Sequence, residues 1–410
     1  MGSPHAGYAQ QVHPFASCSF DQQEVRPKGG ASGHSLVKPT HWLLRRQPPT
    51  WTVPKTDGSH AEQIVICNMV FPNTKYLVTE RGGALQATRA TMSDTLEPNE
   101  VVIRLKAVAI NPADHKMIDQ GHRVAAWPLV PGHDGAGVIE KVGDQVDNFA
   151  IGDRVLALFT PGDRSASFQE RAVVQERNVA KIPQEWSFEE ASTMGTCYLT
   201  GIMALGIGLK IPLPFLEGGP TSGVQLSSVL VLGGSSAVGA ATIQLLRLAL
   251  PTCKILATSS SRHHDLLTHH LGANAAIARD SISLVADAKS TTLNNRGVDA
   301  IVDAVGAGSL QQDVFQALDP EGPCIYAQVW TGDKEIEAPK NVHSVLFRGR
   351  DLPQLPGNQL IMRSLQQLLG EHRYKLPLPA RNVGQGLDGI SKGLDLVRQG
   401  VSGQKLVVSI

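Results

Sequence analysis

The amino-acid sequence predicts an α/β protein in which a doubly wound parallel sheet is combined with a smaller, mostly β module. Apolar residues at 229–232 lead through a turn rich in glycine and serine into a segment of helical period. Further apolar runs alternate with helical segments after this turn, as right-handed βαβ units require. Short strands separated by Gly and Asp turns at 101–158 are typical of a barrel-like module.

The first 62 residues differ in composition from the rest of the chain. They are rich in Pro, Gly, Ser, His and Gln and have little apolar periodicity, which predicts a disordered extension. The segment lacks the apolar core of a secretory signal, and Asp21 and Glu24 disfavour a transit peptide. Folded structure is expected to begin between Ala61 and Lys75.

Composition excludes several classes of partner. The 37 basic and 37 acidic residues balance, and basic residues form no extended run, so no nucleic-acid or membrane-surface partner is expected. No apolar stretch approaches the ~20 residues that span a bilayer. The five cysteines are odd in number and scattered, which favours reduced thiols in a cytoplasmic protein over a disulfide framework.

The remaining elements follow in chain order. Strands are predicted at 101–110, 135–143 and 151–158, and an apolar helix at 198–209 leads into the parallel sheet. After that sheet, a helix at 387–399 ends at Gly400, and a final strand covers 405–410. An open βαβ fold needs no such strand, so this strand is expected to return to the first module.

The glycine-rich turn at 233–239 has the composition of a phosphate-binding turn. Glycines let the backbone approach a pyrophosphate, and the amides at the following helix N-terminus hold the anion. Because such a turn alone is weak evidence, a plain strand-to-helix connection remains the alternative. The turn consists of Gly233, Gly234, Ser235, Ser236, Ala237, Val238 and Gly239.

The end of the second strand distinguishes between the two nicotinamide cofactors. A site for NAD usually places Asp or Glu about 20 residues past the glycines, to accept a hydrogen bond from the ribose 2′-hydroxyl. Here residues 259–264 contain no carboxylate, and Arg262 with the neighbouring hydroxyls suits a 2′-phosphate. This pattern predicts NADPH, and the alternative is a polar loop that binds nothing.

From about Lys75 to Ile410 the sequence resembles the medium-chain dehydrogenase/reductase superfamily. The resemblance rests on six motifs in the expected order, at 111–116, 131–137, 152–155, 195–201, 233–239 and 271–273. It implies a GroES-like catalytic domain at 63–195, a Rossmann NADP-binding domain at 196–340, and a return to the catalytic domain at 341–410. Substrate would lie in the cleft between the two domains.

The resemblance also addresses metal binding, because many members of that superfamily are zinc alcohol dehydrogenases. In those enzymes a Cys would stand near Asn111, a His near His133 and another Cys near Thr196. His133 alone is retained, and no four-cysteine lobe follows Val155. No metal is therefore predicted, and His133 is expected to line the cleft or to be hydrogen-bonded beneath it.

Without a metal Lewis acid, the fold can still transfer hydride to an activated alkene such as an α,β-unsaturated thioester. Among zinc-free members the sequence is most similar to the fungal trans-acting enoyl reductases of polyketide biosynthesis, through residues 111–116, 233–237, 260–263 and 401–407. This resemblance implies an NADPH-dependent enoyl reductase of secondary metabolism that acts on a carrier-bound acyl chain, with a polyketide synthase as partner. The alternatives are a quinone or enone oxidoreductase and a non-catalytic nucleotide-binding protein.

The resemblance assigns site residues by position. Besides the turn, cofactor contacts are expected from Ala113, Asp114, His115, Lys116, Ser260, Ser261, Arg262, His263, Arg279, Gln328, Val329, Val401 and Ser402. The substrate pocket is expected to include Met194, Gly195, Thr196, Cys197, Tyr198, Leu199, Thr200 and Gly201. Lys116 or His115 is the candidate proton donor, with solvent as competitor. The segment 345–350 is more basic than expected beside an apolar acyl chain.

Overall fold

The computed structural model of the protein describes residues 70–93, 95–331 and 335–410. The extension expected at 1–62 lies outside the described residues. The first two strands, β1 (Val70–Leu77) and β2 (Gln86–Ser93), form an antiparallel pair.

The catalytic lobe is built on a seven-stranded sheet with the order β14-β15-β3-β4-β5-β7, and β6 pairs with β3. These strands are β3 (Glu100–Ala109), β4 (Asp134–Val142), β5 (Arg154–Leu158), β6 (Arg171–Gln175), β7 (Val179–Lys181), β14 (Ala380–Gln385) and β15 (Lys405–Ser409). The helices of this lobe are α1 (Pro112–Gln120), α2 (Phe188–Ser192) and α7 (Gly386–Gln399). β15 pairs antiparallel with β3, with Val407 opposite Ala109, so the closing strand returns to the first module as predicted.

The nucleotide lobe contains the predicted doubly wound parallel sheet. Its six parallel strands have the order β10-β9-β8-β11-β12-β13, the strand order of a Rossmann fold. They are β8 (Ser228–Leu232), β9 (Lys254–Ser259), β10 (Ala275–Ala278), β11 (Ala300–Asp303), β12 (Ile325–Val329) and β13 (His343–Phe347). The helices of this lobe are α3 (Gly195–Met203), α4 (Ala237–Ala249), α5 (Leu284–Ser290) and α6 (Ile361–Gly370). The fold class predicted from the sequence is confirmed.

The chain returns to the catalytic lobe later than the boundary expected at residue 341. β13 is the sixth strand of the parallel sheet, with Tyr326 opposite Ser344, and the chain rejoins the catalytic sheet at β14. A short apolar run such as 345–347 has no periodicity that tells one sheet from another, so pairing with β12 determines where it belongs.

Each lobe has its own apolar core. In the nucleotide lobe, the residues of β8 from Val229 to Leu232 have no solvent exposure, as a strand covered on both faces requires. In the catalytic lobe, Ile103, Val155 and Phe168 pack inside the barrel. Within the described part of the chain, no helix combines the length and apolarity that a bilayer crossing needs.

Candidate cofactor and substrate cleft

The turn between β8 and α4 is held tightly against β9. The Gly233 amide donates to Thr258 Oγ1 at 3.0 Å, and the Gly234 amide donates to the Thr258 carbonyl at 2.8 Å. Gly233 has a φ of +74°, and a Cβ on Gly239 would lie 2.2 Å from the Gly233 carbonyl oxygen. Ser236 Oγ caps α4 by accepting from the Gly239 amide. The backbone therefore closes the turn in a way that excludes a side chain at position 239.

The segment after α7 closes over this turn. The Gly403 amide donates to the Ser235 carbonyl at 3.0 Å, and the hydroxyls of Ser235 and Ser402 are 3.2 Å apart. Val401 and Ser402 line a groove of about 460 Å³ together with the turn. Other lining residues are Gly233, Ser236, Thr258, Ser259, Arg279, Asp280, Val305, Gly306, Ala307, Leu310 and Gln311. One groove thus contains Ser235, Arg279 and Ser402, three residues from distant parts of the chain that the sequence analysis assigned to one cofactor.

Basic side chains cluster around His263 at one end of this groove, which Arg279 lines. Arg262 is exposed, and its Nε donates to Nε2 of His263 at 3.2 Å. Burial lowers the pKa of His263, and the positive charges of Arg262 and Arg279 lower it further, so the imidazole accepts as a neutral ring. Ser260 and Ser261 begin the short helical turn that carries both residues. This end of the groove offers guanidinium groups and hydroxyls and suits an anion.

A second cavity, of about 330 Å³, lies between the two lobes. Lys116 lines it from α1, and its ammonium donates to the carbonyl of Thr331 on the nucleotide lobe. Thr196 and Cys197 line it from α3. The remaining wall consists of Ile110, Asn111, Pro112, Ser235, Ser236, Ala237, Val238, Ala304, Val305, Leu378, Val397, Gly400, Val401, Gln404, Lys405 and Leu406.

A buried polar network forms the floor of this cavity. Asp134 has no solvent exposure and accepts from Asn111 Nδ2 at 2.9 Å and from the amide and hydroxyl of Thr196, each at 2.7 Å. The Lys405 ammonium lies 3.6 Å from the second carboxylate oxygen and donates to Asn111 Oδ1. Each buried charge is therefore paired and hydrogen-bonded, as stable burial requires.

This network occupies the positions at which the resemblance would place metal ligands. Asn111 and Thr196 are bound to Asp134 instead. Within the described ranges, no group of three or more His, Cys, Asp or Glu side chains is arranged to hold a metal ion.

His133 lies beneath the cavity, bonded to a carboxylate. Its Nδ1 is 2.6 Å from Asp114 Oδ1, and Asp114 Oδ2 accepts from the Asn111 amide at 2.8 Å. Burial and the charge of Arg123 lower the pKa of His133, but the bond to Asp114 and the carboxylate charges outweigh them and raise it. The carboxylate of Asp114 is fully buried, caps α1 and anchors His133, and it lines neither cavity.

The first turn of α1 separates the other expected residues. His115 does not reach the cavity, because its Nδ1 bonds Asp119 at 3.2 Å, and Asp119 also binds Arg398 of α7. Ala113 is partly exposed beside the cavity residue Pro112. Of the four residues expected from 113 to 116, Lys116 is the one that lines the cavity.

Residues 194–201 divide between the cavity and the junction of the lobes. Thr196 and Cys197 reach the cavity, and burial raises the pKa of Cys197 to about 12, so the thiol stays protonated. Tyr198 is buried with its hydroxyl 2.8 Å from that of Ser364, and a Cβ on Gly201 would touch Leu245 of α4. The rest do not line the cavity, namely Met194, Gly195, Leu199 and Thr200.

Gln328 and Val329 end β12 without lining either cavity. Gln328 is buried, and its Oε1 accepts from the Ile336 amide at 3.0 Å. The sequence analysis did not identify three residues of the cleft, namely Asp134, Lys405 and Thr331. The signal for Lys405 was a single charged residue at the start of an otherwise apolar strand.

Two lobes that share one cleft, with a glycine-rich turn before a helix on one lobe and a lysine on the other, have the arrangement of a nicotinamide-dependent oxidoreductase of the medium-chain type. Comparison with known families agrees with this class. The model described as alcohol dehydrogenase GroES-like domain matches residues 97–184, and that of the zinc-binding dehydrogenases matches 237–364.

Sequence relatives narrow the class further. The trans-enoyl reductase himH of Aspergillus japonicus is 30% identical over 76% of this chain and 90% of its own length. The trans-enoyl reductase RAP2 of Pyricularia oryzae is 32% identical over 82% of this chain and 97% of its own. The lovastatin nonaketide synthase enoyl reductase component lovC of Aspergillus terreus is 30% identical over 77% and 90%. The chain belongs to this family of enoyl reductases within the medium-chain dehydrogenase/reductase superfamily.

Solved structures share the fold. CurK enoyl reductase superposes with a TM-score of 0.65 at 22% identity, covering 82% of this chain and 99% of that one. A quinone oxidoreductase of Pseudomonas syringae superposes with a TM-score of 0.62 at 19% identity, covering 82% and 100%.

Proposed function

We propose that the protein is an NADPH-dependent reductase of α,β-unsaturated thioesters that acts in trans on a polyketide chain. The observation that carries the proposal is the shared cavity of about 330 Å³, which the phosphate-binding turn enters from one lobe and Lys116 from the other. Kinship with trans-enoyl reductases supports the choice of an alkene over a carbonyl substrate.

The fit to the cofactor rests on the turn and the basic end of the groove. Residues 233–239 would hold the pyrophosphate, because a side chain at position 239 is excluded, Gly233 and Ser236 line the groove, and α4 begins directly after them. Arg262 and Arg279 would hold the 2′-phosphate. When bound, NADPH supplies a hydride for the β-carbon of the conjugated alkene.

Lys116 is proposed to give the proton to the α-carbon. Among the described residues that line the cavity, the ionisable ones are Lys116, Cys197 and Lys405. The thiol of Cys197 keeps its proton because burial raises its pKa to about 12, and Lys405 is bound to Asn111 and Asp134. Lys116, which reaches across the cleft to Thr331, is the remaining donor.

The partner would be a polyketide synthase that carries the acyl chain. The relative lovC is described as a component of a synthase, which supports action in trans for this chain also. Cys197, Cys253 and Cys324 are free and buried, which is consistent with a cytoplasmic location.

The test is NADPH oxidation with short and long enoyl thioesters and with a free quinone, repeated with NADH. Turnover of the thioesters that exceeds turnover of the quinone, with NADPH preferred, is the expected result. Faster reduction of the quinone than of the thioesters would indicate that the protein is a quinone oxidoreductase. NADPH binding without oxidation by any acceptor would indicate a non-catalytic binding protein.

A further inference from the structure

Two arginines, Arg123 and Arg348, lie beside the point at which Lys116 meets Thr331 at the substrate cavity. The residue before Thr331 is Trp330, and the Arg348 guanidinium lies 4.8 Å from the centre of its ring. The ring of His122, from the catalytic lobe, lies 6.2 Å from the same ring. This stacking holds the Arg348 guanidinium in a fixed position at the rim of the cleft.

Arg123 reaches the same place from the opposite lobe. A Cβ built on Gly349 would lie 3.2 Å and 3.5 Å from the two terminal nitrogens of Arg123, so this guanidinium packs on the loop that carries Arg348. Arg123 is exposed and has a φ of +60°, a backbone conformation that residues other than glycine rarely adopt. Arg123, Arg348 and the exposed Arg350 are called the cationic rim below.

Within residues 70–93, 95–331 and 335–410, the cationic rim has no acidic partner for its guanidinium groups. Among the residues that the structure describes, no carboxylate lies within 4.0 Å of these three side chains. Some other arginines in the catalytic lobe are paired, such as Arg164 with Glu100 at 2.7 Å. Asp351 is the nearest acid in sequence, and it accepts from the Arg348 amide at 2.7 Å. Unpaired guanidinium groups match phosphate, which they bind through two parallel hydrogen bonds.

We propose that the cationic rim binds the phosphate of the phosphopantetheine arm that carries the acyl thioester. The inference rests on the proposed function and names how a carrier-bound substrate is recognised. The apolar acyl chain has no negative charge that the three arginines could bind, and a free quinone has no anionic group either. The arm of a carrier-bound thioester, however, contains one phosphate between the acyl end and the carrier. The acyl end enters the cavity of about 330 Å³ while the phosphate stays at the rim.

The test compares two crotonyl thioesters that differ in one phosphate, those of pantetheine and of 4′-phosphopantetheine. In the wild-type protein the phosphorylated thioester should have a KM lower by about tenfold, as expected of a charge-assisted contact. Arg123→Ala and Arg348→Ala should reduce this ratio towards one and leave kcat and the KM for the pantetheine thioester unchanged. Arg348→Lys keeps the charge without the planar group and should retain part of the ratio.

Arg381→Ala is the matched control, because Arg381 is also exposed on the catalytic lobe and should leave the ratio unchanged. A wild-type ratio of one, or equal losses on both thioesters in the rim variants, would overturn the proposal. If no thioester is reduced, the proposed function fails. In that case, calorimetry in the presence of NADP⁺ compares the affinities of the protein for 4′-phosphopantetheine and for pantetheine, which tests the cationic rim independently of turnover. Tighter binding of the phosphorylated compound that depends on Arg123 and Arg348 supports it, and equal binding refutes it.

Discussion

Lys116 is the residue proposed to donate the proton to the α-carbon. Lys116→Ala should lower kcat by about 10²–10⁴, the usual contribution of general acid catalysis. The exposed Lys392 on α7 provides the control, since Lys392→Ala should leave kcat unchanged. Because Lys116 also bonds Thr331, the dissociation constant of NADPH is measured in parallel. An unchanged kcat would leave solvent as the proton source.

Arg262 is the residue that should separate the two cofactors. It stands where a carboxylate would serve NAD, and its Nε donates to His263. A lost charge-assisted hydrogen bond is worth about 1.5–3 kcal/mol, so Arg262→Ala should weaken NADPH binding by roughly 10- to 100-fold. Fluorescence titration should show little change for NADH. Equal losses for both cofactors would contradict a 2′-phosphate contact.

His133 should make stability depend on pH in a definite direction. Its pKa is raised above 6.5 in the folded protein, so the bond to Asp114 contributes fully below pH 6.5 and is lost as pH rises through the folded pKa. The difference in unfolding free energy between wild type and His133→Gln should therefore be larger at low pH. Urea unfolding from pH 6 to pH 9 measures it. A difference independent of pH would exclude the raised pKa, and Asp114→Asn should remove the dependence.

At the scale of the element, the turn before α4 should not tolerate a methyl group at Gly239. The added Cβ would meet the Gly233 carbonyl oxygen at 2.2 Å, so the backbone of the turn must open. Gly239→Ala should cost about 1–3 kcal/mol of stability, as overpacking does, and should weaken NADPH binding. Gly370→Ala is the control, because nothing lies within 4 Å of its Cβ. Unchanged thermal unfolding and NADPH affinity in Gly239→Ala would contradict the packing described here.

At the scale of the whole molecule, NADPH should stabilise the two lobes together. The cavity that it would enter is lined by residues of α1, α3, α4 and β15, which belong to both lobes. At about 100 times its dissociation constant, a ligand raises the unfolding free energy by about 2.7 kcal/mol. Thermal unfolding should shift as one transition, and less with NADH at the same concentration. Two transitions, of which one shifts, would show that the lobes unfold independently.

Local sequence signals were sufficient for the fold class. Four apolar residues followed by glycines and a helical period predict β8, its turn and α4, because strand burial, turn conformation and helix period depend on near neighbours. The closing strand could be placed in the first module because a parallel sheet has no need of it. The limit of this reasoning is β13, whose apolar residues suit either sheet.

The polar network at the floor of the cleft could not be predicted from the sequence, and only the tertiary structure reveals it. Lys405 reaches Asn111 across 294 positions, and Asp134 collects donors from α3 and from the residue before α1. Sequence patterns report what is near along the chain, so they predicted the motif at 111–116 but not the direction of each side chain. Helical geometry aims Lys116 into the cavity and Asp114 into the core, since residues two apart on a helix face different ways. Motifs formed by neighbouring residues are therefore enough to predict the class of the protein. The side chains that form the surface of its cleft come from distant parts of the sequence, so they depend on how the two lobes pack together.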